Sequence, residues 1–244
     1  MSVSKKFIWG GLGWVLIGPI GGIIGYALAS MSEQRSGGFN QPQSSSSYPK
    51  TRGGDFIVSL LVLFAAVMKA DKKMLNSELN YVKRYLAKQF SQDEVSDFMM
   101  LFKDIVKQDY PLRDVCRQIQ RSMDHPSRLE LIHVLFELSN ADGQIHPAEI
   151  KVMGTIASYI NVNARDFNSI QAMFGKGKKA AYEILEINTS STNGEVKKAY
   201  RKMANKYHPD KVSHLGLDFQ KLAEEKFKSL NSAYQKIKKE RGFA

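Results

Sequence analysis

The sequence predicts an all-α protein in three parts: an apolar N-terminal helix, a central helical bundle and a C-terminal helical hairpin. Three observations carry this. From Phe56 onwards apolar residues recur at steps of three and four, with no sustained strand-like alternation. One helix–loop–helix pattern occurs twice, at Phe64 and again at Leu135. Two amphipathic stretches flank a His208-Pro209-Asp210 tripeptide near the C-terminal end. The 244 residues are 43% hydrophobic and 24% charged, which excludes a wholly disordered or collagen-like chain. A single cysteine, Cys116, excludes an intrachain disulfide. The net charge is +11, and residues 176–244 hold 16 basic against 8 acidic side chains. An acidic partner is therefore expected at that end.

The first part, residues 1–32, is an expected single transmembrane anchor. Phe7 to Ser32 carries no charge, and 26 residues of helix span about 39 Å against a hydrocarbon core of ~30 Å. Gly18/Gly22 and Gly21/Gly25 lie four apart, spacing that lets a second helix approach and predicts a homodimer through this segment. A signal peptide cleaved after Ala27-Leu28-Ala29 is the competing expectation, although the apolar run exceeds the usual ~7–15 residues. Lys5 and Lys6 before the span and Arg35, Lys50 and Arg52 after it leave orientation undecided by charge. Residues 33–54, with Ser44 to Ser47 and paired glycines, read as a flexible linker.

The middle part, residues 55–175, predicts helices near 55–70, 77–89, 92–107, 111–123, 127–140, 147–160 and 164–173. Ser91 with Glu94 forms a capping box, Pro147 suits a first helical position, and Asn163 suits an N-cap. In the repeat, Ala70-Asp71 matches Ala141-Asp142 and Glu78 matches Glu149. One helix pair cannot bury its own apolar face, so two pairs should pack as a bundle. The acids have two readings. Asp71, Glu78, Asp142 and Glu149 are candidate divalent-cation ligands. Alternatively, each Asp accepts loop amides while each Glu favours a helix N-terminus. The EF-hand spacing is absent. This twice-repeated Ala-Asp…Glu pattern in a helical domain resembles the TerB-like fold, named for tellurite-resistance proteins. The resemblance implies a link to metal binding through acidic residues and a stress or metal-response role as an alternative function.

The last part, residues 176–244, opens with an apolar turn of helix at Tyr182, Ile184, Leu185 and Ile187. From Asn193 to Tyr207, Val196, Tyr200, Met203 and Tyr207 form one stripe, and Lys197, Lys198, Arg201, Lys202 and Lys206 lie off it. Pro209 disfavours helix at His208, so the helix should stop near Tyr207. A second stripe (Phe219, Leu222, Phe227, Leu230, Tyr234, Ile237) completes an antiparallel hairpin around the loop 207–217. No base-reading module or stacking platform accompanies the basic charge, so no nucleic-acid partner is expected. Neither a nucleophile pattern nor metal-ligand spacing accompanies His208, so no enzyme activity or cofactor is expected.

These residues resemble a J-domain, the DnaJ-like co-chaperone module. Tyr182-Glu183-Ile184-Leu185 matches its first helix, and Lys198 to Ala204 its second. Tyr207 to Lys211 matches its signature loop, and Lys226-Phe227-Lys228 with Asn231 to Tyr234 its third helix. The sequence ends at Ala244, which leaves little of the family's fourth helix. The resemblance implies binding to the ATP state of a DnaK-type chaperone and stimulation of its ATP hydrolysis. It assigns partner contacts to His208, Pro209, Asp210, Lys197, Lys198, Arg201, Lys202 and Lys206. The order of span, TerB-like middle and J-domain resembles the membrane-anchored DjlA family. That order implies a bacterial inner-membrane location with residues 33–244 in the cytoplasm, where the chaperone and its ATP are.

Overall fold

The computed structural model describes residue 20 and residues 53–70, 76–88, 90–175, 178–215 and 217–243. The expected anchor therefore lies, but for Ile20, outside the described residues, as does the linker up to residue 52. Among the described residues no helix is long and apolar enough to cross a membrane. Every regular element among them is helical.

Among the described residues from 53 onwards ten α-helices follow one another: α1 Gly53–Met68, α2 Asn76–Ala87, α3 Gln92–Lys107, α4 Leu112–Ser122, α5 His125–Ser139, α6 Pro147–Tyr159, α7 Ala164–Met173, α8 Lys178–Ile184, α9 Asn193–Lys206 and α10 Leu217–Arg241. The predicted ends agree to within a few residues, because their local signals are real. Ser91 accepts the Glu94 amide, and Glu94 Oε2 accepts the Ser91 N–H at 2.9 Å. Asn163 accepts the Asp166 amide at 3.0 Å. Pro147 starts α6 as expected, and the N-cap before it is His146.

The chain forms two compact units, residues 1–122 and 123–244. In the first, α1 is apolar round nearly its whole circumference, and Leu60 to Ala65 are all buried. Such a helix belongs at a centre. It packs on α3 and α4, while α2 packs on α3. Phe64 meets Tyr81 and Tyr85 edge-on at 6.2 Å. Tyr110 donates to the Val62 carbonyl at 2.7 Å, and its burial pushes its ionisation far above the ordinary range. Cys116 is fully buried, which pushes its thiol up to about 12, so it is inert as a nucleophile.

The second unit is built on α5, where Leu129 to Phe136 are all buried. Helices α6 and α7 cover part of it, and α7 carries α8 and α10. Phe136 stacks on Phe174 at 5.5 Å. The C-terminal hairpin is thus not a separate bead: it shares a core with helices α5 and α7. Its own core is Leu185, Val196, Met203, Tyr207, Leu222, Leu230 and Ile237. Each such side chain contributes about 1.5–3 kcal/mol on burial. The loop 207–217 differs from its expectation. It holds a short 3-10 helix, Pro209–Leu215, whose Val212 and Leu215 turn inwards three residues apart. Three residues per turn aligns those two positions.

Two helices end in the same way. The Ile187 amide reaches back to the Tyr182 carbonyl at 3.1 Å and the Glu186 amide to Glu183 at 3.0 Å, closing α8. Val162 to Ala157 at 2.8 Å and Asn161 to Ser158 at 3.2 Å close α6. Both Glu186 and Asn161 take φ +57°, the left-handed conformation this ending requires. Asparagine tolerates it. Glutamate does not do so readily, and left-handed backbone in a residue with a Cβ costs about 1–2 kcal/mol.

Candidate protein-interaction site

Helix α9 exists because Thr192 and Glu195 cap it reciprocally, Thr192 N–H to Glu195 Oε2 at 2.7 Å. The T-x-x-E spelling at Thr192 was readable in the sequence. These bonds also hold the Glu195 carboxyl below its usual range. At the other end the helix stops at Lys206, and Tyr207 caps it with its amide on the Met203 carbonyl. His208 then begins the projecting tip, as Pro209 demands.

The tip is exposed: the side chains of His208 and Asp210 keep 50% and 75% of their surface in water. It is also braced. His208 Nδ1 accepts the Asp210 amide at 3.3 Å, which leaves the neutral ring its proton on Nε2, a donor for a partner. The Lys211 amide donates to the His208 carbonyl at 3.0 Å, and Ser213 Oγ to the Asp210 carbonyl at 2.8 Å. The His208 ring stands edge-on to Phe227 at 6.1 Å. Asp210 Oδ1 accepts Gln220 at 3.4 Å, and Oδ2 lies 3.5 Å from His208 Nδ1. An exposed carboxylate held this way can take a bidentate arginine.

The basic residues divide. Lys197, Lys198, Arg201 and Lys202 are exposed along α9. Lys206 is not: its side chain keeps only 19% of its surface. It donates to Asp166 on α7 and, at 2.8 Å, to Glu186 after α8. Asp166 also meets His125 Nε2 at 3.0 Å. Burial works against ionisation of Asp166, but hydrogen bonds and charge from Lys206 and His125 outweigh it, so the carboxyl lies below its usual range. The sequence reading grouped Lys206 with the free basic residues of this helix; the structure turns it inwards instead, because its partner Asp166, forty residues away, left no local signal.

A second lysine is more deeply placed. Lys226 on α10 is 2% exposed and pairs with Glu130 on α5, itself 0% exposed, at 2.5 Å. Nearby His133 is buried, and desolvation, then the charge of Lys226, hold it well below the ordinary imidazole value. The far end of α10 is fastened by Arg241, which donates to the Thr189 and Ser191 carbonyls and to Tyr182 Oη at 2.9 Å.

The acidic candidates are placed unevenly. Asp71 lies outside the described residues. Glu78 and Glu149 are buried. Asp142 Oδ1 accepts the Gln144 amide at 2.9 Å, and Glu149 Oε2 accepts the His146 amide at 2.8 Å in a capping box. These are the loop-amide and helix-start arrangements. No group of three or more His, Cys, Asp or Glu gathers in metal-binding geometry among the described residues.

Two family models match successive parts of the chain. The family model "Tellurite resistance protein TerB" matches residues 58–172, and "DnaJ domain" matches residues 180–241. A "Co-chaperone protein DjlA" of Coxiella burnetii is 24% identical over 99% of both chains. One of Shewanella oneidensis is 25% identical over 88% of this chain and 89% of its own. One of Photorhabdus laumondii is 30% identical over 58% of this chain and 63% of its own. No solved structure matches. The chain thus carries a TerB region followed by a DnaJ domain, and along its length it is similar to proteins named as DjlA co-chaperones.

Proposed function

We propose that this protein binds the ATP state of a DnaK-type chaperone through the His208-Pro209-Asp210 tip and α9, and stimulates its ATP hydrolysis. The observation that carries the reading is a braced, solvent-facing His-Pro-Asp tip at the end of a basic helix. The four exposed cations of α9 steer the protein towards an acidic surface and set the association rate. The tip then makes the short-range contacts, with Asp210 accepting an arginine of the chaperone and His208 donating from Nε2. Hydrolysis is the partner's chemistry; this chain is a regulator and not itself an enzyme.

The apolar run Phe7–Ser32 tethers the protein to the bacterial inner membrane, with the helical units on the cytoplasmic side where ATP is. The glycine pairs within it offer a face for a second copy. The division into a TerB-like region (55–175) and a J-domain (176–244) assigns client or partner selection to the former. Single-turnover hydrolysis by a DnaK-type chaperone, with and without the full chain, tests the function. Several-fold acceleration is expected, and an unchanged rate overturns the reading. Protease protection in sealed vesicles tests the orientation: cleavage of residues 33–244 only after the cytoplasmic face is opened to protease supports it.

A further inference from the structure

We infer that Glu186 and Asp166 form a carboxylate clamp that withholds Lys206 from the chaperone and thereby weakens the J-domain's grip on it. The inference rests on the function proposed above. Its starting point is the backbone: Glu186 occupies a left-handed helix-ending position at φ +57° that favours glycine. Strain of this kind persists where surrounding contacts impose it. Here the contacts are visible. The Glu186 side chain is 8% exposed, with Oε1 2.8 Å from Lys206 Nζ and Oε2 3.9 Å from Lys202 Nζ. Asp166, 3% exposed, takes the same Lys206 ammonium from the other side.

The arrangement places two anionic groups at the tip-proximal end of the basic helix. They turn one cation inwards and damp a second. An acidic chaperone surface must compete with them for Lys206 and meets a reduced positive field over Lys202. Glu186 is thus a specificity-determining residue that works by subtraction: it sets how acidic a partner surface must be.

Glu186→Gly is the informative variant, because glycine suits the left-handed backbone and the fold should melt no lower than wild type. In single-turnover assays with the full chain at low salt, the concentration giving half-maximal stimulation should fall about threefold, and the gain should shrink at high salt. Adding Lys206→Ala should erase the gain, while Lys206→Ala alone should change stimulation by less than about twofold, since the wild-type lysine is already occupied. Asp166→Asn, checked by its melting temperature, should act in the same direction as Glu186→Gly. Equal or weaker stimulation by Glu186→Gly, or a large loss from Lys206→Ala alone, overturns the clamp while leaving the co-chaperone reading intact. Failure of every variant and of wild type to stimulate overturns both.

Discussion

The buried Lys226–Glu130 pair gives a quantitative test of how the C-terminal hairpin is held to α5. Lys226 is 2% and Glu130 0% exposed, and the two residues are 96 positions apart. Glu130 Oε1 has no hydrogen-bond partner among the described residues, so Lys226 supplies the carboxylate's main compensation. Lys226→Ala would strand that charge in the interior, and breaking such a pair costs about 3–5 kcal/mol. The expected loss at pH 7 is therefore about 3–5 kcal/mol. Replacing both partners, Glu130→Leu with Lys226→Met, should come within about 1 kcal/mol of wild type or exceed it. Urea unfolding of the full chain, followed by a probe in residues 123–244, measures all three. A loss below about 1 kcal/mol for Lys226→Ala, or a double variant worse than the single, would refute the reasoning.

Three further outcomes follow from the same geometry. His133 is held neutral by burial and by Lys226, with Glu130 and Glu137 at 4.0 and 3.9 Å too distant to reverse this. Its folded value is depressed, so the unfolded chain takes up a proton first. Stability should fall as pH drops below about 6.5, by up to about 1.4 kcal/mol per unit, and His133→Phe should flatten that slope between pH 6.5 and 5; an identical slope in the variant counts against it. Arg241→Ala should destabilise the unit by about 2–3 kcal/mol in urea titrations, because two backbone carbonyls and Tyr182 lose a charged donor. Lys198→Glu with Arg201→Glu should slow association with the chaperone at least tenfold at low salt, with dissociation little changed, in stopped-flow traces. Salt-independent rates would argue against steering.

The parts of the molecule written in local sequence were legible. Caps at Ser91 and Asn163, Pro147 at the head of α6 and the proline stop before His208 each depend on neighbours within four residues, and each is in place. The exposed tip follows from the same local logic. What stayed hidden depends on distant partners. Nothing near Lys206 announces Asp166, and nothing near Lys226 announces Glu130. The 3-10 turn at Pro209–Leu215 was missed because its inward pair, Val212 and Leu215, is too short a pattern to stand out from loop. Packing of the hairpin against α5 and α7 likewise has no signature in periodicity, since an apolar stripe does not name what covers it. Glu186 in left-handed backbone was invisible for a related reason: the helix ending it serves is spelled with glycine or asparagine far more often.

The central claim is that a stiff His-Pro-Asp tip, presented by α9, triggers ATP hydrolysis in another protein. Single-turnover hydrolysis by a DnaK-type chaperone in the presence of wild type, Asp210→Asn or His208→Gln tests it most directly. Both side chains are exposed, so both variants should fold and melt like wild type. The account predicts strong acceleration by wild type and none by either variant. Equal acceleration by all three would contradict it.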